Sequence, residues 1–118
     1  HAAQRYAELL DGLVHLPATD AGNTHVHAVY TVCSEQKAAI RSHMQEAGVP
    51  TAAYYEHPLH LEPVFAKLGH GPGSFPVAER LGSEGFCLPM HPFIGDTELE
   101  QVAAAMRAGV AASGGGGR

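Results

Sequence analysis

Tryptophan is absent from this sequence, cysteine occurs twice, and only seven lysines and arginines are spread over 118 residues. Scattered cations in a chain of net charge −5 cannot form the basic stripe that follows the phosphates of a nucleic acid. No uninterrupted apolar run approaches the roughly 20 residues that a bilayer-spanning helix needs. The stretch from His1 to Asp11 lacks the basic start and long apolar core of a secretory signal. Neither a nucleic-acid nor a membrane partner is expected. Cys33 and Cys87 lie far apart in apolar, strand-like runs, where a thiol serves as a small hydrophobe. That usage fits a cytoplasmic location, although two cysteines leave a single bridge open.

What is present describes a folded chain, with 45% apolar and 16% charged residues. Its length allows one hydrophobic core but not a large enzyme enclosing a cofactor cleft. The chain begins at His1 and not at a methionine, as expected of a processed protein or a piece of a longer one. Residues 1–112 read as one domain and 113–118 as a flexible Gly-rich tail.

Hydrophobic spacing places a helix over Ala2–Leu13, with Tyr6, Leu9, Leu10 and Leu13 on one face. The β-branched and aromatic run His25–Cys33 predicts a strand whose core face carries Val26, Ala28, Tyr30 and Val32. Ser34 is placed to cap a following helix striped by Ile40, His43, Met44 and Ala47 and closed by Gly48. Thr51–Tyr55 reads as a second strand, completing a strand–helix–strand crossover. Residues 57–74 hold three prolines and three glycines and should be irregular, with a short helix near Pro63–Leu68 and a flexible tip at Gly69–Ser74. Pro76 opens a helix over Val77–Leu81, Phe86–Leu88 is a brief strand, and Thr97 with Glu100 forms a capping box. Leu99, Val102, Ala103, Met106 and Val110 stripe a last helix. The expected fold class is α+β, a small, mainly antiparallel sheet of about three strands covered by helices.

Nine histidines call for an account. His25 and His27, two residues apart on one strand, would project the same way about 6.6 Å from each other and could share a metal. His57 and His60, after the second strand, would be the further ligands of such a site. None of these spacings matches a known ligand motif, so no metal ligand is assigned, and a His-rich metal-binding domain is kept as an alternative. Neither cysteine has a neighbouring histidine to activate it, and no serine occupies a Gly-x-Ser-x-Gly elbow. Glu56, Glu62, Glu79 and Glu84 show no paired spacing, and most of them read as solvated. No catalytic residue is assigned. The most informative stretch is Tyr54–Leu61, where two tyrosines end a strand before a kinked segment carrying two imidazoles. Aromatic surface beside polar donors suits a sugar or nucleotide; it also describes any strand end that packs its rings and wets its hydroxyls.

Tyr54–Leu61, then Phe75-Pro76-Val77-Ala78-Glu79-Arg80, then Leu88-Pro89-Met90-His91-Pro92-Phe93, together resemble in order and spacing the C-terminal small domain of DegT/DnrJ/StrS-type sugar aminotransferases. The resemblance runs from about Tyr6 to Val110. It implies the small domain of the aspartate-aminotransferase fold, with a missing N-terminal domain that carries pyridoxal phosphate and its lysine. It also implies a homodimer, and a parent enzyme that aminates a nucleotide-linked keto-sugar. Carried over residue by residue, the substrate-binding role falls on Tyr54 and Tyr55, with His57 and His60 beside them. The chain departs from the family pattern at Tyr54, where histidine is frequent, and at Glu56, where proline is usual. Glu62 stands where glutamine is common, His27 where tyrosine is frequent, and Ser34-Glu35-Gln36 lacks an Arg-Asp pair. These departures bear on substrate contacts more than on the fold. Lys37 and Lys67, the only lysines, lie outside the family's cofactor-lysine motif, so this chain alone is expected to hold no cofactor and to be inactive. A stand-alone binding or dimerisation module reusing the same fold is the other alternative.

Overall fold

The computed structural model describes residues 1–114. Helix α1 spans Ala2–Leu10, strand β1 Tyr30–Cys33 and helix α2 Lys37–Glu46. Two 3-10 turns follow at Leu59–Leu61 and Pro63–Leu68, then helix α3 at Pro76–Glu84, strand β2 at Gly85–Leu88 and helix α4 at Asp96–Ala112. The architecture is α+β, with helices outweighing strands.

The antiparallel sheet has two strands, paired from Tyr30↔Leu88 to Cys33↔Gly85. It is extended by single bridges, His15 to Cys33 and Ala52 to Cys87. The third strand expected over Thr51–Tyr55 is therefore reduced to Ala52, which exchanges two backbone hydrogen bonds with Cys87 at 2.7 and 3.1 Å. Beyond Ala52 the chain is drawn off the sheet edge, because Glu56 faces cations on α2 and its carbonyl lies against α3. The crossover survives in outline, with β2 lying between β1 and Ala52.

The first strand also starts later than its composition indicates. His27 has φ +50°, a left-handed conformation that ends an extended path, and its backbone N–H donates to Nδ1 of His25 at 2.8 Å. Tyr30 and Val32 accordingly face the core as expected, whereas Val26, 90% exposed, and Ala28 do not.

Helix α4 forms the centre of the core, packed on α1 and on α2. Leu99 and Met106 are fully buried with Tyr6 and Leu10 of α1 and Ile40 and Met44 of α2, and Phe86 closes the cluster from the sheet. Each large apolar side chain hidden in this way contributes about 1.5–3 kcal/mol. The Tyr6 hydroxyl donates to the Pro89 carbonyl at 2.6 Å, and burial raises the pKa of its phenol. α4 begins one residue before the expected cap: Gly95 precedes it, and Glu98 accepts the Gly95 N–H at 2.9 Å. Glycine supplies no side-chain acceptor, so only the glutamate arm of a capping box is present, and Thr97 lies inside the helix. Likewise α2 starts at Lys37, with Ser34 two residues upstream of its cap, although Ser34 Oγ accepts the Gln36 N–H at 3.1 Å. Helix α3 runs beyond Leu81 to Glu84. Ser113 and Gly114 close α4, and residues 115–118 of the expected tail lie outside the described residues.

Candidate functional site

From Thr51 to Leu81 no residue is buried, so polar contacts must fix the path of this segment. Its entrance is tied by the Ala52–Cys87 bridge and by Arg41, whose Nε donates to Thr51 Oγ1 at 2.9 Å. Its next turn is tied by Glu56. One carboxylate oxygen lies 3.7 Å from Lys37 Nζ, the other 3.7 Å from Arg41 Nη1. Lys37 is only 7% exposed and also donates to the Gly82 carbonyl at 3.0 Å.

Tyr54 and Tyr55 sit between these ties and project outward, 65% and 87% exposed. With Leu59 and Leu81 they border an open, mainly apolar cavity of about 440 Å³ floored by Thr31 and Cys87 of the sheet. A second opening of about 730 Å³ lies between the tyrosines and Val64 and Phe65. A larger polar groove, about 890 Å³, runs beside them along Lys37, Arg41, Thr51 and Glu56. His57 borders all three. Three of the four expected contact residues, Tyr54, Tyr55 and His57, are thus brought together.

His60 is placed elsewhere. Its ring packs edge-on against Phe75 at 4.8 Å, and its Nε2 is buried 3.3 Å from Glu79 Oε2, within ion-pair reach but without the alignment of a hydrogen bond. Glu79 is the hub of this corner, accepting the Gly73 N–H at 2.9 and 3.0 Å and the Phe75 N–H at 3.2 Å. Those bonds, the Gly73 N–H first, hold the carboxyl below its ordinary pKa of 4.5. Glu79 is thus not among the carboxylates that are merely solvated, and the Gly69–Ser74 tip, expected to be flexible, is tied to α3. Sequence reasoning missed both hubs. Lys37 and Arg41 at i, i+4 mark a cationic ridge on α2, and a glutamate in the first turn after Pro76 is placed to reach back for loop amides.

His25 and His27 meet by stacking at 4.1 Å in a loop, and not as neighbours on a strand face. Burial first, then His25, lowers the His27 pKa. Among the described residues no three histidines, cysteines, aspartates or glutamates gather as a metal site. Cys33 and Cys87 are free thiols, and burial raises the Cys33 pKa, away from the thiolate a nucleophile needs. No helix among the described residues is long and apolar enough to cross a membrane.

Pyridoxal phosphate chemistry needs a free lysine beside an anion cup and a carboxylate for the ring nitrogen. Lys37 is committed to Gly82 and Glu56, and Lys67 stands on an exposed 3-10 turn. The residues present do not fit that cofactor.

Residues 1–107 match the model of the DegT/DnrJ/EryC1/StrS aminotransferase family. The chain is 37% identical to a pleiotropic regulatory protein of Geobacillus stearothermophilus, over 86% of this chain and 28% of that protein. It is 35% identical to a dTDP-3-amino-3,4,6-trideoxy-alpha-D-glucose transaminase of Micromonospora megalomicea, over 89% of this chain and 30% of that enzyme. The crystal structure of DesV from S. venezuelae in complex with a ketimine intermediate superposes with a TM-score of 0.88 at 31% identity, covering 92% of this chain and 30% of DesV. The chain therefore spans less than a third of the length of the relatives it matches.

Proposed function

The chain belongs to the DegT/DnrJ/EryC1/StrS aminotransferase family, and from that premise we propose that it is the C-terminal small domain of a pyridoxal-phosphate-dependent aminotransferase acting on a nucleotide-linked keto-sugar. The observation that carries this reading is coverage: nine-tenths of the chain superposes on under a third of DesV. The remainder of such an enzyme, an N-terminal domain, would hold the cofactor, which supplies an electron sink when bound.

In this reading the present chain contributes surface and not bond-making groups. Tyr54 and Tyr55 offer two exposed rings for stacking on a base or sugar, and their hydroxyls with His57 offer hydrogen bonds. His60 orders the adjoining corner through Phe75 and Glu79 and shapes the site from behind. Exposed Leu59, Val64 and Leu81 border the same openings as the tyrosines and give apolar surface that the cofactor domain or a second subunit would cover. A homodimer is the assembly proposed. The separate 118-residue chain should self-associate through that surface, and sedimentation showing a monomer at high concentration would count against it.

The relatives' names divide between regulation and transamination, and an assay separates the two. The longer polypeptide carrying this segment is incubated with glutamate and a dTDP- or UDP-linked 3-keto-sugar, and amino-sugar is followed by mass spectrometry. Formation of product, with KM raised about tenfold by Tyr54→Ala plus Tyr55→Ala, is the expected result. No product from either nucleotide sugar would overturn the reading.

A further inference from the structure

We propose that Glu56 is a positioning residue for the Tyr54–Tyr55 pair, acting by bridging two cations of α2. The inference rests on the reading of that pair as a contact surface. From Ala53 to Leu59 the segment carrying the tyrosines has no buried residue, so its rings are set by what grips the backbone on either side. On the near side the grip is the Ala52–Cys87 bridge and the Arg41–Thr51 bond. On the far side it is Glu56, whose two carboxylate oxygens face Lys37 and Arg41, each at 3.7 Å.

Lys37 makes this more than a surface ion pair. Its side chain is about nine-tenths buried, one N–H is satisfied by the Gly82 carbonyl, and Glu56 is the only carboxylate within ion-pair distance of it among the described residues. A largely buried cation that loses its one counter-charge is penalised more than an exposed one, so the Lys37 end holds Glu56 in place more firmly than an exposed partner would. The backbone is gripped at the same point, since a Cβ on Gly82 would stand 2.7 Å from the Glu56 carbonyl oxygen. Lys37, Gly82 and Glu56 thus join α2, α3 and the tyrosine segment at one place. Glu56 itself is half exposed and borders the polar groove beside the tyrosines. The grip is therefore open to screening by salt, and it would transmit occupancy of that groove to the rings.

The test uses the 118-residue chain in solution, with amide and ring resonances of Tyr54 and Tyr55 assigned by NMR. Glu56→Gln keeps the shape and removes the charge. It should shift those resonances, while those of Val32 and Phe86 of the core stay unchanged. In the unsubstituted chain, raising sodium chloride from 20 mM to 1 M, over which the screening length falls from roughly 20 Å to about 3 Å, should move the same resonances in the same direction. This second arm needs no variant to fold. Tyrosine resonances that ignore both the substitution and the salt would overturn the proposal, as would shifts spread equally through the core. Titration of the unsubstituted chain with UDP-N-acetylglucosamine and dTDP-glucose is read separately. If neither perturbs Tyr54 or Tyr55 while Glu56 still sets their resonances, the contact-surface reading fails and the positioning role stands.

Discussion

Helix α4 hides Leu99, Val102, Ala103, Met106 and Val110 against α1 and α2, while the thirty residues from Ala52 to Leu81 bury no apolar side chain. The first region is stabilised by apolar burial, whose energy is shared among many neighbours and hardly depends on pH or salt. The second is shaped by a few polar ties: Ala52 to Cys87, Glu56 to Lys37 and Arg41, and Glu79 to Gly73, Phe75 and His60. A core built one way and a candidate site built the other should respond to different perturbations. The site can be reset without unfolding the core.

The largest effect should come from the core. Leu99 is fully buried, so Leu99→Ala removes its transfer energy and leaves a cavity, at a cost of about 2–5 kcal/mol. Urea denaturation should show the loss as a lower midpoint, with every core probe moving together. A change under about 1 kcal/mol would mean that the core is loosely packed and the contrast overstated. Next comes the junction of the two regions. An added methyl at Gly82 would meet the Glu56 carbonyl oxygen at 2.7 Å, too close for any real contact, and the obstacle is backbone. Gly82→Ala gains helix propensity of about 1 kcal/mol but must displace the tyrosine segment, so the net loss should be about 1–3 kcal/mol. Tyr54 and Tyr55 resonances should move with it. A stabilised variant with unmoved tyrosines would break the link between α3 and the site.

The same contrast explains what could be read from the sequence. Stripes such as Tyr6 with Leu10 and Leu99 with Met106 follow helical spacing, because burial imposes a period that a linear chain displays. Tyr30, Val32 and Phe86 were equally legible. Strand limits were not: Val26 alternates correctly with Tyr30, yet the left-handed turn at His27 depends on a bond to His25 that no periodicity encodes. The candidate site is legible as a motif, Tyr54 through His57, but its geometry is not. Glu56, Lys37 and Gly82 are spread over nearly fifty residues of sequence, and His60 resembles its neighbour His57 while its ring turns toward Phe75. Polar ties between distant residues leave no periodic trace.

The smallest predicted effect isolates one such tie. Glu79 accepts amides of Gly73 and Phe75 only as strongly as its charge allows, and its pKa in the folded chain lies below the ordinary 4.5. The ionised form is thus the one that the fold favours. Its contribution is complete above pH 4.5 and is lost as pH falls through the lower folded value. Amide exchange at Gly73 and Phe75, corrected for its intrinsic pH dependence, should therefore accelerate on acidification below that point, while Leu99 and Met106 keep their protection until the core itself unfolds. Glu79→Ala should show the accelerated exchange at every pH and abolish the acid transition at these two amides. If the transition persists in that variant, another group controls the loop, and His60 packed against Phe75 is the next to replace. If core protection falls in step with the loop, the two regions unfold as one, and the division between a buried core and a polar-tied site does not hold.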